Sequence, residues 1–164
     1  MSQKTLLAVL ESTIAAIKHY CAYQERCHSE VRHKLISLEC YGEELEEAMS
    51  VLIEEDYLNE ERFAASYARG KFRMNKWGKT RIKQQLKLKK VSEYCIKKGI
   101  AQIEEAAYLD TLSGLMEKKI TALAAEKNEW VRKQKVHHYL LQKGFEPELI
   151  QEVWEQQETD LNTQ

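Results

Sequence analysis

The sequence contains few residues that break helices or make turns. Its 164 residues include one proline, Pro147, and only six glycines. Folds built from many short strands need frequent Gly and Pro turns, so this composition favours helices joined by short connections. No apolar stretch approaches the ~20 residues that cross a bilayer. The N-terminus also lacks the long apolar core of a secretory signal, so we expect a cytoplasmic, all-α protein without a membrane segment.

Sequence signals of catalysis and of metal binding are also missing. The chain has four cysteines but no CxxC pair, and without an export signal we expect them to be reduced and buried. Cys21 and Cys27 lie near His28 and His33, but a six-residue step between cysteines is not typical of a zinc site. There is no Gly-rich phosphate loop, HExxH or GxSxG motif. We therefore predict a non-enzymatic protein with no metal and no other cofactor.

Charge is strongly segregated along the chain, although the formal net charge is only −1. Residues 39–61 carry acids and no Lys or Arg, residues 69–98 are basic with Glu93 as the single acid, and the chain after Lys143 is acidic again. This layout steers an anionic partner to the middle of the chain. A solvated helix face would ordinarily mix both signs for i,i+4 pairing. We therefore predict a basic surface that contacts DNA phosphates or acidic patches of a protein partner. The predicted basic surface comprises Arg69, Lys71, Arg73, Lys76, Lys79, Arg81, Lys83, Lys87 and Lys90.

Three apolar trios, each spaced five and five residues apart, recur at offsets of about 51 and 54 residues. Each trio predicts a helix end, a short turn and a new helix start. Ser92 suits the N-cap position, Gly144 suits a left-handed stop, and Pro147 suits the first position of a helix. The trios are Leu35, Cys40 and Leu45; Leu86, Val91 and Ile96; and Leu140, Phe145 and Ile150.

A second repeated element, Tyr57-Leu58-Asn59 and Tyr108-Leu109-Asp110, indicates where units begin. Asn59 and Asp110 are interpreted as N-caps of the opening helices. The predicted units are 1–56, with an N-terminal helix and the first three-helix repeat; 57–107, the basic second repeat; and 108–164, the third repeat with an acidic tail. Helices in the second repeat are predicted at about 59–73, 77–89 and 92–101. Because such small units cannot bury their apolar faces alone, we expect them to stack into an elongated, curved array.

The second repeat carries an extended motif. Tyr57-Leu58-Asn59-Glu60-Glu61-Arg62-Phe63-Ala64 is followed by Tyr67, by Trp77-Gly78, and by Arg81-Ile82 and Leu86. This pattern resembles the core motif of the RecX family. The resemblance implies three tandem three-helix units and a modulator that binds RecA filaments on DNA, in the filament groove. It also implies that the protein usually limits RecA ATPase and strand exchange, in recombination, DNA repair and the SOS response. The first repeat matches loosely and the third has Trp130-Val131 instead of Trp-Gly, so we assign no binding residues there.

The side chains of the motif are interpreted mainly as structural. Phe63 and Tyr67 stand at i,i+4 on an apolar stripe, which favours core packing over base stacking. Arg62 is expected to pair with an acid such as Glu55 or Asp56, and Gly78 to serve the turn into the middle helix. The motif residues interpreted in this way are Tyr57, Leu58, Arg62, Phe63, Tyr67, Trp77 and Gly78.

A stand-alone helical DNA-binding module is the alternative function, because the tight turn at Lys89–Ser92 resembles a helix-turn-helix. The second helix of that pair offers few side chains suited to base edges, and Glu93 at its start would face phosphate. We therefore favour a regulator of RecA filaments that contacts DNA phosphates without sequence specificity. The polar, acidic ends of the predicted array suit a monomer.

Overall fold

The computed structural model describes the backbone of residues 3–162 and the side chains of residues 8–160. Within that range the protein is all-helical, as the sequence predicts, with nine helices and no strand. The helices are α1 (Gln3–Tyr23), α2 (His28–Ser37), α3 (Gly42–Glu54), α4 (Glu60–Asn75), α5 (Lys79–Leu88), α6 (Glu93–Ile100), α7 (Glu105–Ala122), α8 (Glu129–Lys143) and α9 (Pro147–Asn162).

Helices α4, α5 and α6 begin and end within two residues of the bounds predicted for the second repeat. Their caps explain why. The Oδ1 of Asn59 accepts a hydrogen bond from the backbone N–H of Arg62 at 2.8 Å, and the Oγ of Ser92 accepts one from Cys95 at 3.3 Å. Each side chain satisfies one of the N–H groups left without a partner at a helix start. Both predicted N-caps are confirmed.

The three apolar trios form three equivalent turns, and all nine of their residues are buried. In each turn the backbone N–H of the second trio residue donates to the carbonyl of the first, at 3.0–3.1 Å. This bond closes a Schellman-type helix end, which needs a left-handed residue just before the second trio residue. The residues at that position are Glu39 (φ 60°), Lys90 (φ 60°) and Gly144 (φ 97°). The predicted left-handed stop at Gly144 and helix start at Pro147 are therefore confirmed.

The opening helix of the third repeat begins earlier than the repeated Tyr-Leu-Asx triplet predicts. The interpretation of Asp110 as an N-cap is wrong, because α7 begins at Glu105 and Asp110 lies inside it. The carboxylate of Glu105 is stabilised by the helix dipole at the start of α7, and the following Ala106 and Ala107 are strong helix formers. For residues 1–56 the sequence predicts an N-terminal helix in addition to a three-helix repeat. The described helices there are α1, α2 and α3, so the N-terminal helix is itself the first of the three.

The chain forms two compact units, and α4 and α5 each contribute residues to both. One unit comprises the chain through Ser66 together with Leu86–Gly99, and the other comprises Tyr67–Gln85 together with the chain from Ile100 onward. In the first unit, α1, α2 and α3 pack around a core that includes Ile17, Leu35 and Leu52. The division into three sequence repeats stays a prediction, since these units follow contacts and not repeat boundaries.

The second unit has its own apolar core between α7, α8 and α9. Tyr108 lies at its centre, 1% exposed, with its ring centroid 5.8 Å from that of Phe72 and 5.1 Å from that of Phe145. Around these rings Leu112, Met116 and other apolar side chains are fully buried. This core supports the N-terminal end of α5, where part of the predicted basic surface lies.

All four cysteines are buried and free of disulfide bonds, as predicted. Burial raises the pKa of each thiol, so none of them is a reactive thiolate at neutral pH. Among the described residues, no three His, Cys, Asp or Glu side chains are grouped closely enough to hold a metal ion. None of the described helices is both long and apolar enough to cross a membrane.

Candidate nucleic-acid interface

The predicted basic surface divides into exposed cations without an ion pair and cations held by protein groups. Six of its nine residues are exposed, and Lys71, Lys79 and Arg81 are half-buried. Among the six exposed cations, Lys87 pairs with Glu93, with Nζ 2.9 Å from Oε1. The other five make no ion pair with any described residue and are available to an anionic partner. These five are Arg69, Arg73, Lys76, Lys83 and Lys90.

Within the second unit, Arg69 and Arg73 are the most direct candidates for phosphate contacts. They are four residues apart on α4, so their side chains emerge on the same side of the helix. Lys76 follows directly after the end of α4 and takes a left-handed conformation, with φ 56°. On α5, Lys83 is exposed as well. The second unit thus presents four of the five available cations, on α4, directly after its end and on α5.

Trp77 holds the two half-buried cations that flank it. The Nζ of Lys71 lies 4.9 Å from the centroid of the indole, and the guanidinium carbon of Arg81 lies 4.2 Å from it. The same Lys71 Nζ is 5.5 Å from the centroid of Tyr67, and Arg81 donates to the carbonyl of Gln142 at 3.2 Å. Cations on an aromatic face are attracted by the ring quadrupole, so Lys71 and Arg81 are partly committed to the fold.

Lys79 anchors the start of α5 through Tyr108. The backbone N–H of Lys79 donates to the Tyr108 hydroxyl at 2.9 Å, and that hydroxyl donates to Oε2 of Glu146 at 2.6 Å. The Lys79 ammonium lies over the same ring, 4.5 Å from its centroid, and 3.2 Å from Oε2 of Glu105. Burial, followed by the hydrogen bond to Glu146, raises the pKa of Tyr108 far above its ordinary value, so the hydroxyl stays a donor.

Gly78 is required by a close backbone contact, and not only by the turn that the sequence predicts. A Cβ at this position would lie 2.2 Å from the carbonyl carbon and oxygen of Gly144. The contact is hydrogen-bonded, because Gly78 N–H donates to the Lys143 carbonyl at 2.8 Å and Thr80 N–H donates to the Gly144 carbonyl at 3.0 Å. The glycine of the Trp-Gly pair, together with Thr80, therefore joins the start of α5 to the end of α8.

The first part of the motif lies in the first unit and is largely packed. Phe63 and Leu58 are buried, and Tyr57 packs partly buried against the core. Arg62 pairs with Asp56, as expected, with Nη1 3.0 Å from Oδ1, and it also binds Glu25 at 2.6 Å. This arrangement fits the structural interpretation of these side chains.

The first unit also carries cations of the basic stretch, around the turn that joins α5 to α6. Lys90 is exposed, whereas Lys89 forms an ion pair with Glu30 at 2.8 Å. Lys97 and Lys98 on α6 are exposed and lie outside the predicted basic surface. They belong to the same basic stretch, and their exposure could have been inferred from their place between the buried Ile96 and Gly99.

Comparisons with known proteins match the second and third repeats to family models. The model described as RecX, second three-helix domain, matches residues 59–100, and the one described as RecX, third three-helix domain, matches residues 106–154. Together these matches cover more than half of the chain.

Individual relatives agree with these matches. A regulatory protein RecX from Bacillus cytotoxicus is 29% identical over 133 residues, covering 80% of this chain and 48% of the relative. A regulatory protein RecX from Bacillus cereus is 28% identical over 133 residues, and the match again covers 80% of this chain and 48% of the relative. The chain therefore spans about half the length of the curated relatives it matches.

Two solved structures share the fold. A crystal structure of RecX from Lactobacillus salivarius has a TM-score of 0.84 at 25% identity and covers 94% of this chain and 99% of that one. A crystal structure of a regulatory protein RecX has a TM-score of 0.81 at 22% identity, covering 94% and 78%. With the two family models matched in tandem to residues 59–100 and 106–154, the chain belongs to the RecX family of regulatory proteins.

Proposed function

We propose that this protein binds RecA filaments on DNA and limits RecA ATPase and strand exchange, without chemistry of its own. Membership of the RecX family supports a regulatory role. The observation that supports a contact with DNA is the set of exposed cations without ion pairs, which includes Arg69 and Arg73 on one side of α4. The protein acts in the cytoplasm as a monomer, on DNA of any sequence.

Phosphate contact explains this surface better than solvation alone. A solvated face usually balances its cations with acids at i,i+4, yet Arg69 and Arg73 have no ion-pair partner among the described residues. Each phosphate neutralised by a cation releases a counterion, so binding weakens steeply as salt increases. Lys71, Lys79 and Arg81 then serve mainly to fix the elements that carry the free cations, because their charges are engaged by aromatic rings and Glu105.

The proposal is tested by adding the protein to RecA, single-stranded DNA and ATP, and following hydrolysis and strand exchange. The wild-type chain should slow both. The double variant Arg69→Glu/Arg73→Glu should weaken inhibition, and its DNA affinity should depend less on salt. If two phosphate contacts are lost, the slope of log affinity against log salt should fall by roughly 1.8 for duplex DNA.

The matched control is Lys118→Glu/Lys127→Glu, which makes the same change in charge at two exposed cations outside the basic stretch of residues 69–98. It should retain most of the inhibition. The proposal would be contradicted by a wild-type chain that folds normally but leaves ATP hydrolysis and strand exchange by RecA unchanged at every ratio of the chain to RecA. Equal losses in the two double variants would show that net charge, and not this surface, is responsible.

The alternative of a stand-alone DNA-binding module predicts sequence-selective binding to duplex DNA without RecA. The buried face of α6 includes Cys95, Ile96 and Gly99, and a Cβ at Gly99 would lie 2.7 Å from the Ala64 carbonyl oxygen. Only Glu93, Tyr94, Lys97 and Lys98 are left exposed on the helix, a set poorly suited to reading base edges. Competition with unrelated duplexes separates the two functions.

A further inference from the structure

A groove in the second unit is lined by two tryptophans and two cations that the predicted basic surface does not include. It lies between α7, α8 and α9 and has a volume of about 350 Å³. Trp130, at the start of α8, is 69% exposed, whereas the Trp-Gly tryptophan of the second repeat is half-buried between two cations. The principal lining residues are Ile120, Trp130, Arg132, Lys133, Trp154 and Glu158.

The groove has the parts that a nucleic-acid strand uses. Arg132 and Lys133 are half-buried, and the Nζ of Lys133 is partly engaged by the Trp154 ring, 5.4 Å from its centroid, whereas the Trp130 side chain is exposed. Proteins that bind single strands combine aromatic rings, on which bases stack, with cations that follow the phosphates. Residues 127–143 contain five Lys or Arg residues and Glu129 as the only acid, and two of these cations, Arg132 and Lys133, line the groove.

Glu129 and Glu158 also line the groove, so a strand bound there has to place its phosphates on the side of Arg132 and Lys133. The carboxylate of Glu158 accepts a hydrogen bond from the Trp154 Nε1–H at 2.7 Å, which fixes its position in the wall but leaves its charge in place. Glu129 lies in the first turn of α8, where a carboxylate is stabilised by the helix dipole. An apolar side chain of a protein partner would use the indole but would leave Arg132 and Lys133 without a role. Bases stacked in a duplex cannot reach the indole face.

We propose that Trp130 is a stacking platform for a base of single-stranded DNA, with Arg132 and Lys133 contacting the adjacent phosphates. This site lies on the third repeat and is separate from the cations of α4 and α5. It gives the protein a preference for single strands over duplex. For its biological setting the inference rests on the proposed role at RecA–DNA filaments, but the binding itself requires no RecA.

The test is fluorescence anisotropy of a labelled oligo-dT strand and of a duplex of equal length, with the full chain and no RecA. Trp130→Ala should weaken binding to the single strand by roughly fivefold to a hundredfold, the range that loss of one stacked base gives. Trp130→Phe keeps an aromatic face and should recover most of the affinity. Tyr23→Ala, at another exposed aromatic residue (79% exposed), is the matched control and should bind as the wild type does.

Salt separates the stacking contact from the phosphate contact. Lys133→Gln should lower the salt slope for the single strand by roughly 0.7, the value for one phosphate contact, whereas Trp130→Ala should leave the slope nearly unchanged. Circular dichroism checks that each variant is folded, and only folded variants are compared.

The inference is overturned if folded Trp130→Ala binds oligo-dT as tightly as the wild type. It is also overturned if the variant loses binding to RecA alone but not to DNA, because the groove would then hold a protein partner. The two proposals fail separately. Binding that depends on Trp130, with no effect of the chain on RecA, would remove the proposed function and leave this site standing.

Discussion

Among single residues, Tyr108 holds the start of α5 in place at the candidate interface. Its hydroxyl accepts from the backbone of Lys79 and donates to Glu146, and its ring lies between those of Phe72 and Phe145. The hydrogen bonds satisfy polar atoms that are withdrawn from water, where an unpaired group would cost roughly 1–3 kcal/mol. The cations of α5 are therefore positioned by a residue outside the sequence motif.

A side chain at Gly78 should destabilise the fold. The Cβ of Gly78→Ala would meet the Gly144 backbone at 2.2 Å, and backbone cannot move aside as a flexible side chain can. We expect a loss of about 1–3 kcal/mol or more in the free energy of unfolding, measured by urea denaturation.

The matched control for this prediction is Gly114→Ala in α7. A Cβ there meets nothing within 4 Å, and Ala is the better helix former. This variant should gain about 0.5–1 kcal/mol. Similar stabilities for the two variants would contradict the close contact assigned to Gly78.

At the scale of elements, the three equivalent turns differ in the residue that takes the left-handed conformation. The third turn uses Gly144, but the second uses Lys90, an L residue with a side-chain penalty there. We expect Lys90→Gly to be more stable than Lys90→Ala by about 1 kcal/mol, since both variants lose the charge and only glycine relieves the backbone. Thermal unfolding of the pair measures the difference, and equal melting temperatures would contradict it.

This same position affects how the role of the Lys90 charge should be tested. A Lys90→Asn variant removes the charge but keeps a side chain that tolerates the left-handed region. Its DNA binding can then be compared with that of the wild type without a large change in the turn. Lys76 has the same backbone conformation after α4 and calls for the same substitution.

The turns were predictable from sequence because their determinants are local. Ser92, Gly144 and Pro147 lie within a few residues of the turns they specify, and the apolar trios mark the buried side of each turn. The sequence pattern places the start of α7 too late, because a repeated Tyr-Leu-Asx triplet suggests that Tyr108 precedes the helix as Tyr57 does, whereas Tyr108 lies buried in the first turn of α7. The triplet pattern carries no information on what the tyrosine contacts.

The candidate site was predictable only as a stretch of charge. Arg69, Arg73 and Lys83 are exposed as the charge pattern suggests. The engagement of Lys79 by Tyr108 and Glu105 depends on residues 26 and 29 positions away, which no local pattern reveals. The contact between Gly78 and Gly144 joins still more distant segments.

For the molecule as a whole, stability should depend on pH through His137. Burial, followed by the charge of Lys133, lowers the pKa of this histidine below 6.5, and its Nε2 is buried without a hydrogen-bond partner. With a lower pKa in the folded chain, the unfolded chain takes up the proton first as pH falls. The contribution of neutral His137 to the free energy of unfolding is therefore fully present above about pH 6.5. It is lost as the pH drops toward the pKa of His137 in the folded chain.

Melting temperatures between about pH 8 and pH 5.5 measure this dependence, which spans the ordinary pKa of histidine. His137→Phe keeps a ring beside Trp154, whose centroid is 5.5 Å from the imidazole, and should flatten the curve. His138→Gln removes a histidine at an exposed position and serves as the control. A wild-type curve that His137→Phe leaves unchanged would assign the dependence to other groups.

The hydrogen bonds between the start of α5 and the end of α8 can form only late in synthesis, because the ribosome makes α5 before α8. About 65 residues separate Gly78 from Lys143, whose carbonyl it binds. At typical translation rates the ribosome needs roughly 3 to 13 seconds to add that length of chain. Throughout this interval Gly78 has no partner, and the cationic segment 69–83 emerges before the segment that anchors it. A nascent chain would thus expose its most positive stretch, unanchored, to the polyanions of the cell.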